Sequence, residues 1–296
     1  MSTPAMSVER LSRLAQIVGG DVQRAAVVHA RLDGQVPADW RALAAQLAVA
    51  TGTEVGVAPR LLGLSGGQGS GKSTLARALV QAYAHCGVRA ASVSLDDFYL
   101  TRAQRQQLAR RVHPLLATRG VPGTHDLPLL QQVFDTIDQP QLRLPVFNKA
   151  IDDRLPESQW LQIEEPIDVL IFEGWCVGAV PQTEEQLREP VNELEREADP
   201  DGRYRHYVNA ALGGTYQAIW EQLDDWLFLA VPNLACVRAW RRQQEQQIAS
   251  AIRMDDAAIQ RFVAHYERLT QWMLQTAPAQ ARWCLQLDTD HRLVLG

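Results

Sequence analysis

The sequence predicts an α/β fold: a doubly wound, mostly parallel sheet flanked by helices, with a helical extension at the N-terminus. Three observations carry this. A short apolar run, Leu61 to Leu64, enters a glycine-rich loop that opens directly into an apolar-periodic helix (Leu75, Ala78, Leu79, Ala82). After Gly87, Val88 to Leu95 supplies a second strand, and strands joined through a helix in this way run parallel with a right-handed crossover. Ile167 to Phe172 is a third apolar run, of the kind a strand buried on both faces requires. At 296 residues, with 46% apolar and 21% charged, the chain suits one large α/β domain or one domain with an appendage, and disorder is excluded.

Residues 1–59 are expected to be helical and separate from the core that follows at 60–296. Val8, Leu11, Leu14, Ala15 and Val18 form one stripe, and Gly19-Gly20 stops it. Asp21 caps a second helix reaching Leu32, and a third runs from Asp39 through Leu47 to Ala50 before a linker at 51–56. No chemistry-bearing pattern occurs here. The segment covers an edge of the core or mediates a contact.

The loop between the first strand and its helix reads Gly66, Gly67, Gln68, Gly69, Ser70, Gly71, Lys72, Ser73, Thr74, a match to G-x-x-x-x-G-K-[ST]. Glycines let successive backbone N–H groups turn inward toward phosphate oxygens, and the helix N-terminus adds unpaired donors and partial positive charge. Lys72 is placed to reach the β- and γ-phosphates and Ser73 to ligate Mg²⁺. ATP and Mg²⁺ are the cofactors this loop calls for.

In parallel sheets ligands gather beyond the carboxyl ends of the strands. The second strand ends there in Ser94-Leu95-Asp96-Asp97-Phe98-Tyr99. One of these two carboxylates is suited to take the proton of an acceptor hydroxyl as it attacks the γ-phosphate; a helix cap or turn is the alternative. A polar helix is expected over 101–111. In the irregular loop 119–126, Arg119 and His125 either fix an anionic substrate or serve the turn. A helix resumes over 127–137, and an extended piece, 142–147, precedes Lys149. Of 29 basic side chains only Lys72 and Lys149 are lysines, which singles out Lys149 as a clamp on the transferring group or the substrate, against a plain surface position. The apolar run from 167 delivers Glu173 to Mg²⁺ or its waters. Residues 183–202, within a broader expected insertion at 180–210, read as an inserted segment whose charges are mostly solvated.

A helix over 207–223, a strand over 226–231 and a helix over 234–252 follow. Arg238, Arg241 and Arg242 on the last of these close over the phosphates as a lid or form a solvated face. Residues 254–274 make a long amphipathic helix whose aromatic stripe is core, and a last strand at 283–287, a turn at 288–291 and the tail 292–295 finish the sheet.

The net charge of −5 argues against a nucleic-acid partner. Four scattered cysteines without zinc spacing read as reduced thiols. No apolar stretch is long enough to span a membrane, and no export signal opens the chain. A cytoplasmic location is therefore expected. Nothing in the pattern sets the oligomeric state.

The segments GLSGGQGSGKSTL, SLDDFYLT, RGVPGTHD, LPVFNKAIDDR, VLIFEGW, VNAALGGTYQAIW and WRRQQEQQ together resemble the D-glycerate 3-kinase family of plant type and its microbial relatives. The likeness runs collinearly over roughly residues 60 to 296. More distantly the chain is similar to phosphoribulokinase, uridine kinase and bacterial pantothenate kinase. The resemblance implies a P-loop kinase fold, with Asp96 as the base and Asp97 as its neighbour. It implies that Tyr99 and the stretch holding Arg119, His125 and Asp126 help bind substrate. The expected function is ATP-dependent transfer of the γ-phosphoryl group to a small-molecule alcohol, D-glycerate first. Lys72, Asp96 and Lys149 are the catalytic set, Arg241 and Arg242 add to the nucleotide site, and an Arg or Lys149 binds the substrate carboxylate. A kinase for a nucleoside, pantothenate or a sugar phosphate, and a nucleotide-binding regulatory protein without rapid turnover, are the alternatives.

Overall fold

The computed structural model describes residues 4–52, 60–246 and 254–295. The expected linker beyond Gly52 and the end of the helix expected to reach 252 lie outside the described residues. Three helices come first: α1 (Pro4–Val18), α2 (Val22–Arg31) and α3 (Ala38–Gly52). Asp21 caps α2, accepting the Arg24 N–H at 2.7 Å. Then follow β1 (Leu61–Gly66), α4 (Lys72–His85), β2 (Ala90–Ser94), a 3₁₀ turn (Leu95–Phe98), α5 (Arg102–Arg111) and α6 (Leu127–Asp135). Four short strands, β3 (Leu142–Leu144), β4 (Phe147–Asn148), β5 (Asp153–Arg154) and β6 (Leu161–Ile163), precede β7 (Val169–Gly174). The remainder is α7 (Glu184–Leu187), α8 (Glu193–Ala198), α9 (Arg203–Ala211), α10 (Gln217–Trp220), β8 (Asp225–Ala230), α11 (Leu234–Gln246), α12 (Asp256–Gln280), β9 (Trp283–Leu287) and β10 (Leu293–Val294).

Among the described residues the main sheet has six strands in the order β10-β9-β8-β1-β7-β2. All neighbours run parallel except β10 against β9. The strand after α4 does not lie beside β1: β7 enters between them, so β1 is flanked by β7 on one side and β8 on the other. Chain excursions from β1 and β7 therefore leave in opposite directions, which opens a crevice at their carboxyl ends. The piece expected to be extended before Lys149 stays out of this sheet. It forms two antiparallel ribbons, β3 with β6 and β4 with β5, that carry Lys149 on a turn.

Side chains of β1 alternate between two cores, as the two-residue period of a strand demands. Leu62 and Leu64 join Val169 and Ile171 in one core, whereas Leu61, Leu170 and Phe172 belong to the other. The first core contains α1–α3 as well as α4, so the N-terminal helices share the packing of the sheet instead of standing apart from it. The apolar stripe read from α1 supplies Leu11, Leu14 and Val18, and α3 adds Trp40, Leu43 and Leu47.

One expectation holds with two exceptions and one changes. Most charges of the segment 183–202 are exposed, as expected, and the exceptions are Glu195, which pairs with Arg268 at 2.7 Å, and the fully buried Asp199, which pairs with Arg205 at 3.0 Å. Such pairs are tolerated because backbone groups complete their hydrogen bonds; Arg205 also donates to the Leu187 and Arg188 carbonyls. The helix expected over 207–223 begins earlier, at Arg203, and is broken by a π turn at Leu212–Tyr216, where Gly214 leaves helical geometry.

Leu43 is fully buried between the N-terminal helices and α4. Leu43→Ala is expected to cost about 2–5 kcal/mol, read as a lower midpoint in urea with one cooperative transition. A separate early transition with the main midpoint unmoved would show that residues 4–52 fold independently.

Candidate active site

The crevice at the carboxyl ends of β1, β2 and β7 is a cavity of about 860 Å³. Its floor is the phosphate-binding loop. Gly71 stands at the N-cap of α4 with φ +93°, and a Cβ there would meet the Trp40 ring at 2.8 Å, so a side chain is excluded by both backbone and packing. The turn points the first N–H groups of α4, a helix of 14 residues, at the loop, where a helix N-terminus favours anions. Lys72 is buried and folds back on this loop, donating to the Gly66 and Gly67 carbonyls at 2.8 and 3.1 Å. Burial lowers its affinity for a proton, and the nearby Glu173 and Asp96 charges oppose that. The Ser70 hydroxyl and both amide atoms of Gln68 are buried without a partner. The donors among them, the Ser70 hydroxyl and the Gln68 amide nitrogen, are what a polyanion bound on this glycine loop would satisfy.

Ser73 Oγ donates to Glu173 Oε1 at 2.6 Å. A hydroxyl oxygen and a carboxylate thus stand together beside the loop, the hard oxygen ligands Mg²⁺ takes along with phosphates and waters. Among the described residues no cluster of His, Cys, Asp and Glu offers a cage made by protein alone. The residues present fit a magnesium ion shared with a nucleotide.

Across the cavity, the 3₁₀ turn after β2 presents Asp96, Asp97 and Tyr99. Asp96 is held through both oxygens: Tyr99 donates to Oδ1 at 2.7 Å and Lys149 to Oδ2 at 2.6 Å. Burial alone would raise its carboxyl, but the Lys149 ammonium and these two donors bring it down to about 2. Asp97 has no cationic partner; it accepts from the Phe147 N–H at 3.1 Å and from the Ser94 backbone. Burial, joined by the Asp96 charge, pushes it up to about 6. Two adjacent acids are thereby given different proton affinities.

Arg119 lines the same cavity, its guanidinium 5.4 Å from the centre of the Phe147 ring and paired with Asp152. Asp152 takes a left-handed φ of +55° and also binds the buried Arg105 through its carboxylate and its carbonyl. Arg119 is therefore held on a fixed mount. Arg241 of α11 lies 4.9 Å from the centre of the Phe262 ring and pairs with Glu245, and it too reaches the cavity.

Four residues expected at the site stand elsewhere. His125 does not line the cavity: it is buried behind Tyr99, rings stacked at 4.9 Å, with Nδ1 on the Tyr216 hydroxyl at 2.6 Å. Burial pushes its proton affinity down to about 3, so it is neutral and supplies no cation for an anionic substrate. Asp126 caps α6 through the Leu129 N–H and pairs with Arg154 at 2.9 Å. Arg242 turns to Asp256 on the surface. Thr74 faces a neighbouring cavity on the far flank of the loop. Conversely, Trp175, Glu245 and Tyr266 line the crevice and were not singled out for it. Trp175 follows Glu173 by two positions at a strand's carboxyl end, which is a usable signal. Tyr266 reads as core, and it is buried, yet its hydroxyl donates to the Arg119 carbonyl at 3.0 Å.

Residues 61–189 match the phosphoribulokinase/uridine kinase family. An uncharacterized kinase of Schizosaccharomyces pombe, mug58, is 35% identical over 220 residues, 70% of this chain and 78% of that protein. The chloroplastic D-glycerate 3-kinase of Arabidopsis thaliana is 31% identical over 225 residues, which is 71% of this chain and 46% of the plant protein. Among solved structures, D-glycerate 3-kinase from Cryptococcus neoformans var. grubii superposes with a TM-score of 0.65 at 26% identity over 98% of both chains. No described helix is long and apolar enough to cross a membrane.

The raised Asp97 has a consequence for stability. Between its ordinary value of 3.8 and its folded value of about 6, the folded protein holds a proton that the unfolded chain releases, so stability falls as pH rises through this window. The cost is fully present above it. Asp97→Asn keeps the acceptor for Phe147 and is expected to raise the melting temperature at pH 7.5 by roughly 2–6 °C. Near pH 4 the difference should vanish; an equal difference at both pH values would contradict the assignment.

Proposed function

The chain belongs to the D-glycerate 3-kinase-like branch of the phosphoribulokinase/uridine kinase family of P-loop kinases, and on that premise we propose that it transfers the γ-phosphoryl group of ATP to the 3-hydroxyl of D-glycerate. The observation that carries the reading is the joint presence of a doubly held carboxylate, Asp96, and a mounted guanidinium, Arg119, in the same cavity as the phosphate loop. The curated relative named for glycerate adds support.

Phosphoryl transfer needs alignment and charge neutralisation more than covalent chemistry. The loop N–H groups and Lys72 hold the β- and γ-phosphates, and Arg241 closes from α11. Ser73 and Glu173 are the residues that would hold Mg²⁺, which when bound neutralises phosphate charge. Arg119 binds the substrate carboxylate, a planar partner suited to a guanidinium.

Asp96 orients the acceptor hydroxyl and takes its proton late, as the bond to phosphorus forms. With a proton affinity as low as about 2 it is a weak base while Lys149 is bound to it. An incoming hydroxyl that displaces Lys149 from Oδ2 raises that basicity and frees the ammonium for the transferring group. Lys149 is 61% exposed at its side chain, so the exchange needs no rearrangement of the core. Asp97 is left as the neighbour that shapes the pocket, and Tyr99 as the donor that fixes Asp96.

ADP release from Mg-ATP, with D-glycerate, L-glycerate, uridine, pantothenate and ribulose 5-phosphate offered separately, tests the reading. D-glycerate alone should stimulate turnover, and Lys72→Ala or Asp96→Asn should each lose about 10²-fold or more in kcat. Turnover unchanged in Lys72→Ala would sink it. If ATP raises the melting temperature and no acceptor stimulates turnover, the chain is a nucleotide-binding protein of another kind. Arg119→Ala is expected to raise the KM for glycerate by about 10²-fold while the KM for ATP stays put; equal changes in both would remove Arg119 from the acceptor site.

A further inference from the structure

Arg119 is held at its backbone as well as at its guanidinium. The side chain rests on Asp152, while the main chain belongs to an irregular loop in which Gly120 takes a positive φ of +131°. Within that loop the Gly120 N–H is taken by the Thr124 hydroxyl at 3.1 Å. The carbonyls of Arg119 and Gly120 lie in no strand or helix. Each is met by an aromatic donor from a distant part of the chain: Tyr266 of α12 gives its hydroxyl to Arg119 at 3.0 Å, and Trp175, just beyond β7, gives its indole N–H to Gly120 at 2.8 Å.

The two donors form one unit. Their rings meet edge to face, with centroids 4.9 Å apart and planes inclined by 86°, and Trp175 and Tyr266 are only 4% and 3% exposed. A Cβ on residue 120 would collide with the Tyr266 hydroxyl, so the contact requires glycine there. Packing alone does not explain the polar atoms. A phenylalanine at either position would offer an aromatic ring with nothing to satisfy, whereas a buried hydroxyl or indole N–H costs free energy unless it finds an acceptor. Both find theirs on the two peptide groups that follow the Arg119 Cα, and both residues line the cavity that holds Asp96 and the phosphate loop.

We propose that Tyr266 and Trp175 are positioning residues for the acceptor. By holding the main chain at 119–120 they fix the separation of the Arg119 guanidinium from the Asp96 carboxylate, and so select a small acid whose carboxylate and reacting hydroxyl span it. Transfer depends steeply on such alignment. The proposal rests on Arg119 as the carboxylate-binding group of the reading above.

Tyr266→Phe and Trp175→Phe each remove one donor and keep an aromatic ring. The test is steady-state kinetics with D-glycerate and Mg-ATP for both variants, alone and in an Arg119→Ala background, with melting temperatures reporting that each is folded. Each single variant is expected to raise the KM for D-glycerate by about tenfold, the scale of one lost hydrogen bond. The KM for ATP should stay within about twofold, since binding of the nucleotide does not run through Arg119. In the Arg119→Ala background the same substitutions should change glycerate kinetics by less than about twofold, because the group they aim is already gone. An unchanged KM for D-glycerate in both folded variants, parallel rises in both KM values, or losses that multiply with that of Arg119→Ala overturn the positioning role and leave the kinase reading standing. A wild type that does not phosphorylate D-glycerate overturns that reading, and the positioning role with it.

Discussion

The strand β1 is buried on both faces and hydrogen-bonded along both edges, by β7 and β8. A strand so enclosed offers water and ligands nothing but its carboxyl end. Every polar group the chain uses must therefore meet at that end, and the glycine loop is what makes this possible. It turns the chain from buried strand into α4 within a few residues, with no side chain where Trp40 and Trp240 close in. Sheet order then places the ends of β2 and β7 beside it, and with them Asp96, Asp97 and Glu173.

Three carboxylates in one cavity would repel one another and destabilise the fold if they were alike. They are kept distinct by their partners. Glu173 accepts from the Ser73 hydroxyl, Asp96 has an ammonium and a phenol, and Asp97 has backbone donors alone. The Lys149 ammonium and the Tyr99 hydroxyl hold the Asp96 carboxyl well below the usual carboxylate range. Burial, with the Asp96 charge beside it, raises Asp97 toward neutrality, which limits the repulsion between the two. The chain's two lysines are both drawn into this arrangement, Lys72 on the loop and Lys149 on Asp96. Its many arginines, by contrast, mostly serve structural pairs such as Arg205 with Asp199 and Arg268 with Glu195.

The N-terminal helices show how a segment without chemical motifs acquires a place near a site. Their apolar stripes are ordinary: α3 buries its own on α4, and α1 and α2 pack mainly on α3. Because α4 begins at the phosphate loop, whatever packs on its outer face arrives at the edge of that loop. Trp40 does so, brought there by the same helix that supplies Leu43 and Leu47 to the core.

Local pattern by itself determined which stretches became strands and helices, where the phosphate loop lies, and that acids follow the second and third long strands. These features depend on residues close in sequence: an apolar run, a glycine series, a helical period. The break in the helix near Gly213-Gly214 and the start of α9 at Arg203 were not legible, since they depend on contacts with distant segments. Only the tertiary structure decided which polar residues share a cavity. His125 and Asp126 stand in the same loop as Arg119, yet His125 is sealed behind Tyr99 and Asp126 is spent on a helix cap and Arg154, while Arg119 alone is turned inward by Asp152. Arg241 and Arg242 are adjacent and part in the same way, because successive positions on a helix point about 100° apart. Sequence spacing sets which face a side chain is on; what that face meets is set by elements a hundred residues away.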